Sequence, residues 1–239
     1  MRYLINFSYD GTLFHGYQKQ PNLRTVEGEL ESALKFISEK DIIIHSSGRT
    51  DRGVHALNQY AHFDLDKNIS LYKLKSALNT YTGDDIYIKD IKVVNSDFHA
   101  RYMVKRKTYI YKLNMGEYNP LQRNYVFQYC KSLDLELLNK EIKELIGNYD
   151  FSAFVNMEDK KDNYIRTIFD AYIENHDGIV VFTFIGDGFL KYQIRNMVGA
   201  LIETYTKKRS IKEILLSKDR TSFGKIAPPE GLYLKDVEY

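Results

Sequence analysis

The sequence predicts an α+β protein made of two similar halves, each opening in strand-helix-strand-strand order. Three observations carry this. Apolar residues alternate between period two and period 3.6 along the whole chain. The element order of the first half returns in the second. No Pro/Gly-rich linker or low-complexity tract parts them, so the halves are expected to pack as one body. Such β-α-β-β grammar is that of ferredoxin-like units. The expected architecture is two ferredoxin-like α/β halves, 1–105 and 106–239, sharing a mixed, mostly antiparallel sheet with a central cleft.

Each element has its own warrant. Residues 2–9 read as a strand, and 25–38 as a helix. Asp41-Ile42-Ile43-Ile44-His45 is β-branched and reads as a strand buried on at least one face. Gln59-Tyr60-Ala61-His62-Phe63-Asp64 alternates and suits a strand packed on one side only. A helix over 71–79 and a strand over 86–94 complete the first half. In the second half, 108–114 reads as a strand and 134–145 as a helix with Leu135, Leu138, Ile142 and Leu145 on one stripe. Residues 168–174 and 179–185 alternate around Asn175-His176-Asp177-Gly178, a hairpin turn sequence. Residues 192–205 form an apolar-rich helix, and another begins at Ile211.

Composition narrows the function classes. The chain has 239 residues, 44% hydrophobic and 28% charged, ordinary for a globular protein with a sizeable core. No apolar run approaches the ~20 residues of a membrane-spanning helix, and Met1 leads directly into a strand pattern rather than a signal peptide. One cysteine, Cys130, offers neither an internal disulfide nor a metal cluster, so a reducing cytoplasm is expected. Neither a phosphate loop, a GxGxxG turn nor a zinc spacing is present, and no cofactor or metal is called for. His55 and His62 stand near Asp64 without the further ligands that zinc needs. Net charge is only +2, so any nucleic-acid partner must be met by clusters. Arg49 and Arg52 flank an acid, Arg101 leads into Lys105-Arg106-Lys107, and Lys207-Lys208-Arg209 follows a helix. Twenty tyrosines and no tryptophan supply rings that both stack and hydrogen-bond.

The stretch with most chemistry is Gly48-Arg49-Thr50-Asp51-Arg52-Gly53-Val54-His55-Ala56. It sets one acid between two arginines and two glycines on a connection between strands. Glycines there let the backbone turn sharply and approach a ligand closely. The plainer reading is a polar loop, since Gly and Asp are ordinary turn residues.

The whole nonapeptide resembles the signature of the TruA family of tRNA pseudouridine synthases, and further blocks follow in that family's order. Tyr9-Asp10-Gly11-Thr12-x-Phe14-x-Gly16-x-Gln18 is similar to its opening motif, with Tyr17 in place of the usual tryptophan. Arg24-Thr25-Val26-Glu27-Gly28-Glu29-Leu30 resembles the start of its first helix. Phe98-His99-Ala100-Arg101 and Lys107-Thr108-Tyr109-Ile110-Tyr111 resemble the segment with its active-site tyrosine. Gly147-Asn148-Tyr149-Asp150-Phe151 has Tyr149 where histidine is more usual. Thr82-Gly83-Asp84-Asp85-Ile86 replaces a common Leu-Pro-x-Asp-Ile. The block Phe189-Leu190-x-x-x-Ile194-Arg195-Asn196-Met197-Val198-Gly199 and the block Ala227-Pro228-Pro229-x-Gly231-Leu232 close the series.

The resemblance implies an isomerase that converts uridine to pseudouridine in RNA, most naturally uridines 38 to 40 of the tRNA anticodon stem-loop, working as a homodimer. The same chemistry on ribosomal RNA, or a non-catalytic RNA-binding protein on this fold, stays open. Asp51 is implied as nucleophile or base, Tyr109 as the ring under the target base, and Arg195 as the salt-bridge partner of Asp51. A buried carboxylate needs such a cation, because desolvation alone disfavours its charged form. Arg49, Arg52, Arg101, Lys105, Arg106 and Lys107 are the expected RNA contacts.

Overall fold

The computed structural model describes residues 1–67, 69–155, 163–207 and 209–239. It divides into two compact units, residues 1–105 with 234–239, and residues 106–233. The final six residues, assigned to the second half from sequence, therefore pack with the first unit.

The first unit contains β1 (Arg2–Tyr9), α1 (Val26–Ser38), β2 (His45–Ser46), β3 (His55–Asp64), α2 (Leu71–Tyr81) and β4 (Ile86–Val94). Here β1 lies between β4 and β3, antiparallel to both, and β2 borders β3. β1 is central because nearly all its apolar residues are buried, among them Tyr3, Leu4, Ile5 and Phe7. Helix α1 starts at Thr25, whose side chain accepts from the Gly28 amide, and it buries Val26, Leu30, Ala33, Leu34 and Ile37 along one stripe. Helix α2 is capped by Ser70 and tied to β4 through Asn79, which donates to the Ile88 carbonyl at 3.1 Å and accepts from its amide at 2.7 Å. The last strand, β10 (Leu232–Glu238), joins this unit from Leu234 onward.

The second unit contains β5 (Arg106–Asn114), β6 (Phe127–Gln128), α3 (Leu135–Lys143), β7 (Gly147–Asp150), β8 (Ile165–His176), β9 (Ile179–Gly186), α4 (Gln193–Lys207) and α5 (Ile211–Ser217). Its strands neighbour in the order β5-β9-β8-β7, all antiparallel, with β6 added parallel to β5. The β8-β9 hairpin turns at Asp177 and Gly178, both left-handed with φ of 50° and 88°, as a tight two-residue turn requires. Helix α5 carries a full capping box between Ser210 and Glu213. The α+β class and the mostly antiparallel pairing are those the sequence predicts.

Three expectations change. The strand expected over 41–45 shrinks to His45–Ser46, because only these residues find partners, His62 and Ala61 on β3. Ile43 is 69% exposed, so the β-branched run packs through Ile44 rather than through a ladder. β3 is not packed on one side only: Ala61, His62 and Phe63 are all buried, so both faces are covered there. The short strands β6 and β7 were not foreseen, since Gly147-Asn148-Tyr149-Asp150 is poor in strand formers and owes its shape to pairing with β8.

Burial has a titratable consequence at His62, whose pKa is lowered to about 4, first by desolvation and then by the charges of His99 and Arg2. The unfolded chain then binds the extra proton between its ordinary pKa of about 6.5 and about 4, so stability falls as pH drops through that window. Urea unfolding of wild type and His62→Gln should show this: the variant loses less stability between pH 6.5 and pH 4 than wild type, by up to about 3 kcal/mol.

Candidate active site

The Asp51 turn lies between β2 and β3, and the segment after β1 holds it. The Tyr9 hydroxyl meets Thr50 Oγ1 at 2.8 Å in a buried contact. Desolvation pushes the Tyr9 pKa up to about 12, so it stays protonated. The Thr50 carbonyl accepts from the Tyr17 amide at 3.0 Å, and the Asp51 carbonyl accepts from Val54 at 3.2 Å to close the turn. Gly53 supplies the left-handed residue, φ 77°. From beneath, Gly16 (φ 93°) sits so close that a Cβ would stand 3.1 Å from the Thr50 carbonyl oxygen. At Gly11 a Cβ would fall 2.1 Å from the Val54 carbonyl oxygen, so only glycine fits. The Gly11 amide lies 3.0 Å from His55 Nδ1 as donor. Asp10 Oδ1 stands 3.2 Å from the same nitrogen.

On the other side Gln59, fully buried, donates to the Gly48 carbonyl at 2.9 Å. Arg49 is exposed and donates to the Gln18 side-chain oxygen, while Asp51 itself is half-buried. Arg24 joins a second pair of blocks: it binds both Asp85 carboxylate oxygens, at 2.6 and 2.8 Å, and Glu29 at 3.0 Å. That fork ties the start of α1 to the start of β4 and packs over the Phe14 ring, 4.3 Å from its centroid. The opening motif, whose role the sequence left unassigned, is therefore the mould of the Asp51 turn. Its glycine spacing was the legible signal.

In the second unit, Tyr109 sits on β5 opposite Phe184 of β9, nearly buried, with its ring edge-on to Phe189 at 5.3 Å. Arg195 lies in the first turns of α4 and is also nearly buried. Its Nε donates to the Ala227 carbonyl at 2.8 Å while its own carbonyl accepts from the Ala227 amide at 3.0 Å. That reciprocal clasp sets the plane of the guanidinium. The neighbouring Glu230 has its pKa raised by burial, with the Arg195 charge pulling the other way. Helix α4 comes this close because Gly199 lacks a side chain: a Cβ there would stand 2.0 Å from the Lys225 carbonyl oxygen. Tyr111 donates to the Pro228 carbonyl at 2.8 Å, and Gly231 packs against the Tyr111 ring. The blocks at 107–111, 189–199 and 227–232 thus converge within this unit.

Arg49, Arg52, Arg101, Lys105 and Arg106 are exposed, and Lys107 is partly covered. Arg106 stands 5.4 Å over the Phe169 ring and Arg101 5.9 Å from Tyr102. In the third basic cluster, Lys208 lies outside the described residues, and Arg209 donates to the Ser222 carbonyl. Tyr149, the departure from the motif, is half-exposed on β7 and touches the edge of Phe151. Among the described residues no group of three or more His, Cys, Asp or Glu could hold a metal ion, and no helix is long and apolar enough to cross a membrane.

Two units of one strand-helix grammar, the first presenting an acid on a moulded turn, define a class of α+β proteins with an acid on a strand-to-strand turn. The chain belongs to the tRNA pseudouridine synthase family, whose model matches residues 5–103 and 142–239. A protein named tRNA pseudouridine synthase A from Streptococcus agalactiae is 44% identical over 245 residues, covering 100% of this chain and 95% of its own. One of that name from Limosilactobacillus reuteri is 43% identical over 247 residues, covering 100% and 96%. A third, from a Geobacillus species, is 43% identical over 243 residues, covering 100% and 98%.

Two outcomes follow from the moulded turn and the clasped helix. Tyr9→Phe removes one buried hydrogen bond and should cost about 1 kcal/mol in urea unfolding. Gly199→Ala forces α4 away from Lys225 and should cost about 1–3 kcal/mol. It should also lower turnover, which a single-turnover assay measures, whereas a stable and fully active Gly199→Ala protein contradicts the packing described.

Proposed function

We propose that this protein is an isomerase that converts uridine to pseudouridine in tRNA, acting on uridines 38 to 40 of the anticodon stem-loop. What supports it is the likeness to relatives so named over the whole chain, with Asp51 intact on a turn that two neighbouring segments hold still. The reaction breaks the N1–C1′ bond, turns the base and joins C1′ to C5. The C5 hydrogen leaves as a proton and N1 gains one, so atoms balance with no redox partner. Asp51 supplies the charge at the sugar, either attacking C1′ or removing the C2′ proton. In this reading Arg195 is its counter-ion. Tyr109 offers the target ring a flat face that tolerates either orientation of uracil, which a base that must rotate requires. Arg49 fills the space the base vacates or grips the flanking phosphate, and Arg52, Arg101, Lys105, Arg106 and Lys107 meet phosphates. We place the protein in the cytoplasm as a homodimer.

The test is tritium release from tRNA and ribosomal RNA carrying uridine labelled at C5, with wild type and Asp51→Asn side by side. Wild type should release tritium from tRNA alone, and the variant should bind the RNA as well or better while releasing none. Release from ribosomal RNA alone overturns the substrate but keeps the chemistry. Unchanged release by Asp51→Asn overturns the mechanism, and no release from either RNA leaves a binding protein. Removing the cation with Arg195→Ala should abolish release.

A further inference from the structure

We propose that His45, His99 and Tyr102, with Arg101 beside them, form a stacking platform for an unpaired RNA base and its adjoining phosphate. The platform uses none of the residues of the Asp51 turn. It rests on the reading of this protein as one that works on RNA.

The platform is built as a row of rings on the first unit. His45 of β2 pairs with His62 of β3, and their rings stack at 5.0 Å with a 29° interplanar angle. His99, on the connection after β4, meets His62 at 4.7 Å and His45 at 5.5 Å. Tyr102 continues the row, 4.2 Å from His99 and tilted by 32°. The row thus runs from His62, fully buried, to Tyr102, 76% exposed.

That exposure does not come from a loose loop. His62 Nδ1 accepts from the Ala100 amide at 3.1 Å, and His99 Nδ1 accepts from the Arg101 amide at 3.1 Å. The Arg2 guanidinium donates to the Phe98 carbonyl at 2.9 Å, the Tyr239 hydroxyl to the Ala100 carbonyl at 2.8 Å, and the Met103 amide to the His99 carbonyl at 3.1 Å. Both imidazoles accept at Nδ1, so in their neutral forms both carry the proton on Nε2. Burial and nearby cations lower the pKa of both. The segment is pinned, yet it presents a large ring to water where nothing in the unit covers it.

Chemistry and charge choose the occupant. Flat rings with a guanidinium 5.9 Å from the Tyr102 ring match a base face next to a phosphate. Asp64, whose charge acts on His62, is already held by Arg2 through two hydrogen bonds of 2.9 and 2.7 Å, while Arg101 stands exposed beside the row. An aliphatic surface would suit a lipid or a helix; this one is aromatic and cationic.

The experiment measures tRNA affinity across a salt series, with KM and turnover, for wild type, Tyr102→Ala, Tyr102→Phe and Arg101→Ala. Tyr102→Ala should weaken binding about 5- to 150-fold and raise KM by the same factor. Its turnover at saturating tRNA and its salt slope should stay unchanged, because stacking releases no counterion. Tyr102→Phe should bind like wild type, and Arg101→Ala should reduce the salt slope by about 1. Wild-type affinity for Tyr102→Ala, or equal loss in the Ala and Phe variants, overturns the platform. So does dissociation into monomers by Tyr102→Ala with tRNA affinity intact, which would assign the ring row to a protein contact. Failure of wild type to release tritium from tRNA sinks the functional reading alone, whereas normal release with unaltered Tyr102→Ala binding sinks the platform alone.

Discussion

Gly11 and the Val54 carbonyl lie in contact with no room for even a methyl group between them, and the first unit is organised around that approach. It seats the end of β1 under the Asp51 turn, and the Gly11 amide then reaches His55 while Tyr9 reaches Thr50. In the role proposed for Asp51, a carboxylate gains more from a fixed backbone than from a flexible reach, since small misplacements are costly in rate. Hydrogen bonds to backbone carbonyls of Gly48 and Thr50 achieve this without touching the Asp51 side chain.

The second unit solves the same problem with the same device. Gly199 lets α4 touch the chain at Lys225, and Gly231 lets the chain touch Tyr111. The Arg195 main chain and Nε can then both engage Ala227. Backbone-to-backbone contact leaves an arginine little rotamer freedom, so the entropy of ordering it is spent on folding rather than on substrate. In both units the glycines of the motifs serve close approach, and the polar residues beside them then register the active groups.

Three of the histidines serve as structural acceptors. His55, His62 and His99 each take a backbone amide on Nδ1. This role needs a neutral ring, and desolvation at His62 supplies it.

By itself the sequence determined nearly every helix and long strand, because apolar period and turn glycines are local properties. Through its resemblance to a family it also named Asp51, Tyr109 and Arg195 as candidates, in motifs whose residues stand close together in the chain. What it did not contain were partnerships between distant segments. The loss of the strand at 41–44, the two-sided burial of β3, the return of 234–239 to the first unit and the moulding of the Asp51 turn by residues 9–18 all depend on which backbone lies beside which. Only tertiary structure decides these, because a hydrogen bond between residues forty positions apart leaves no period in the sequence, and a glycine required by close approach reads the same as one required by a turn.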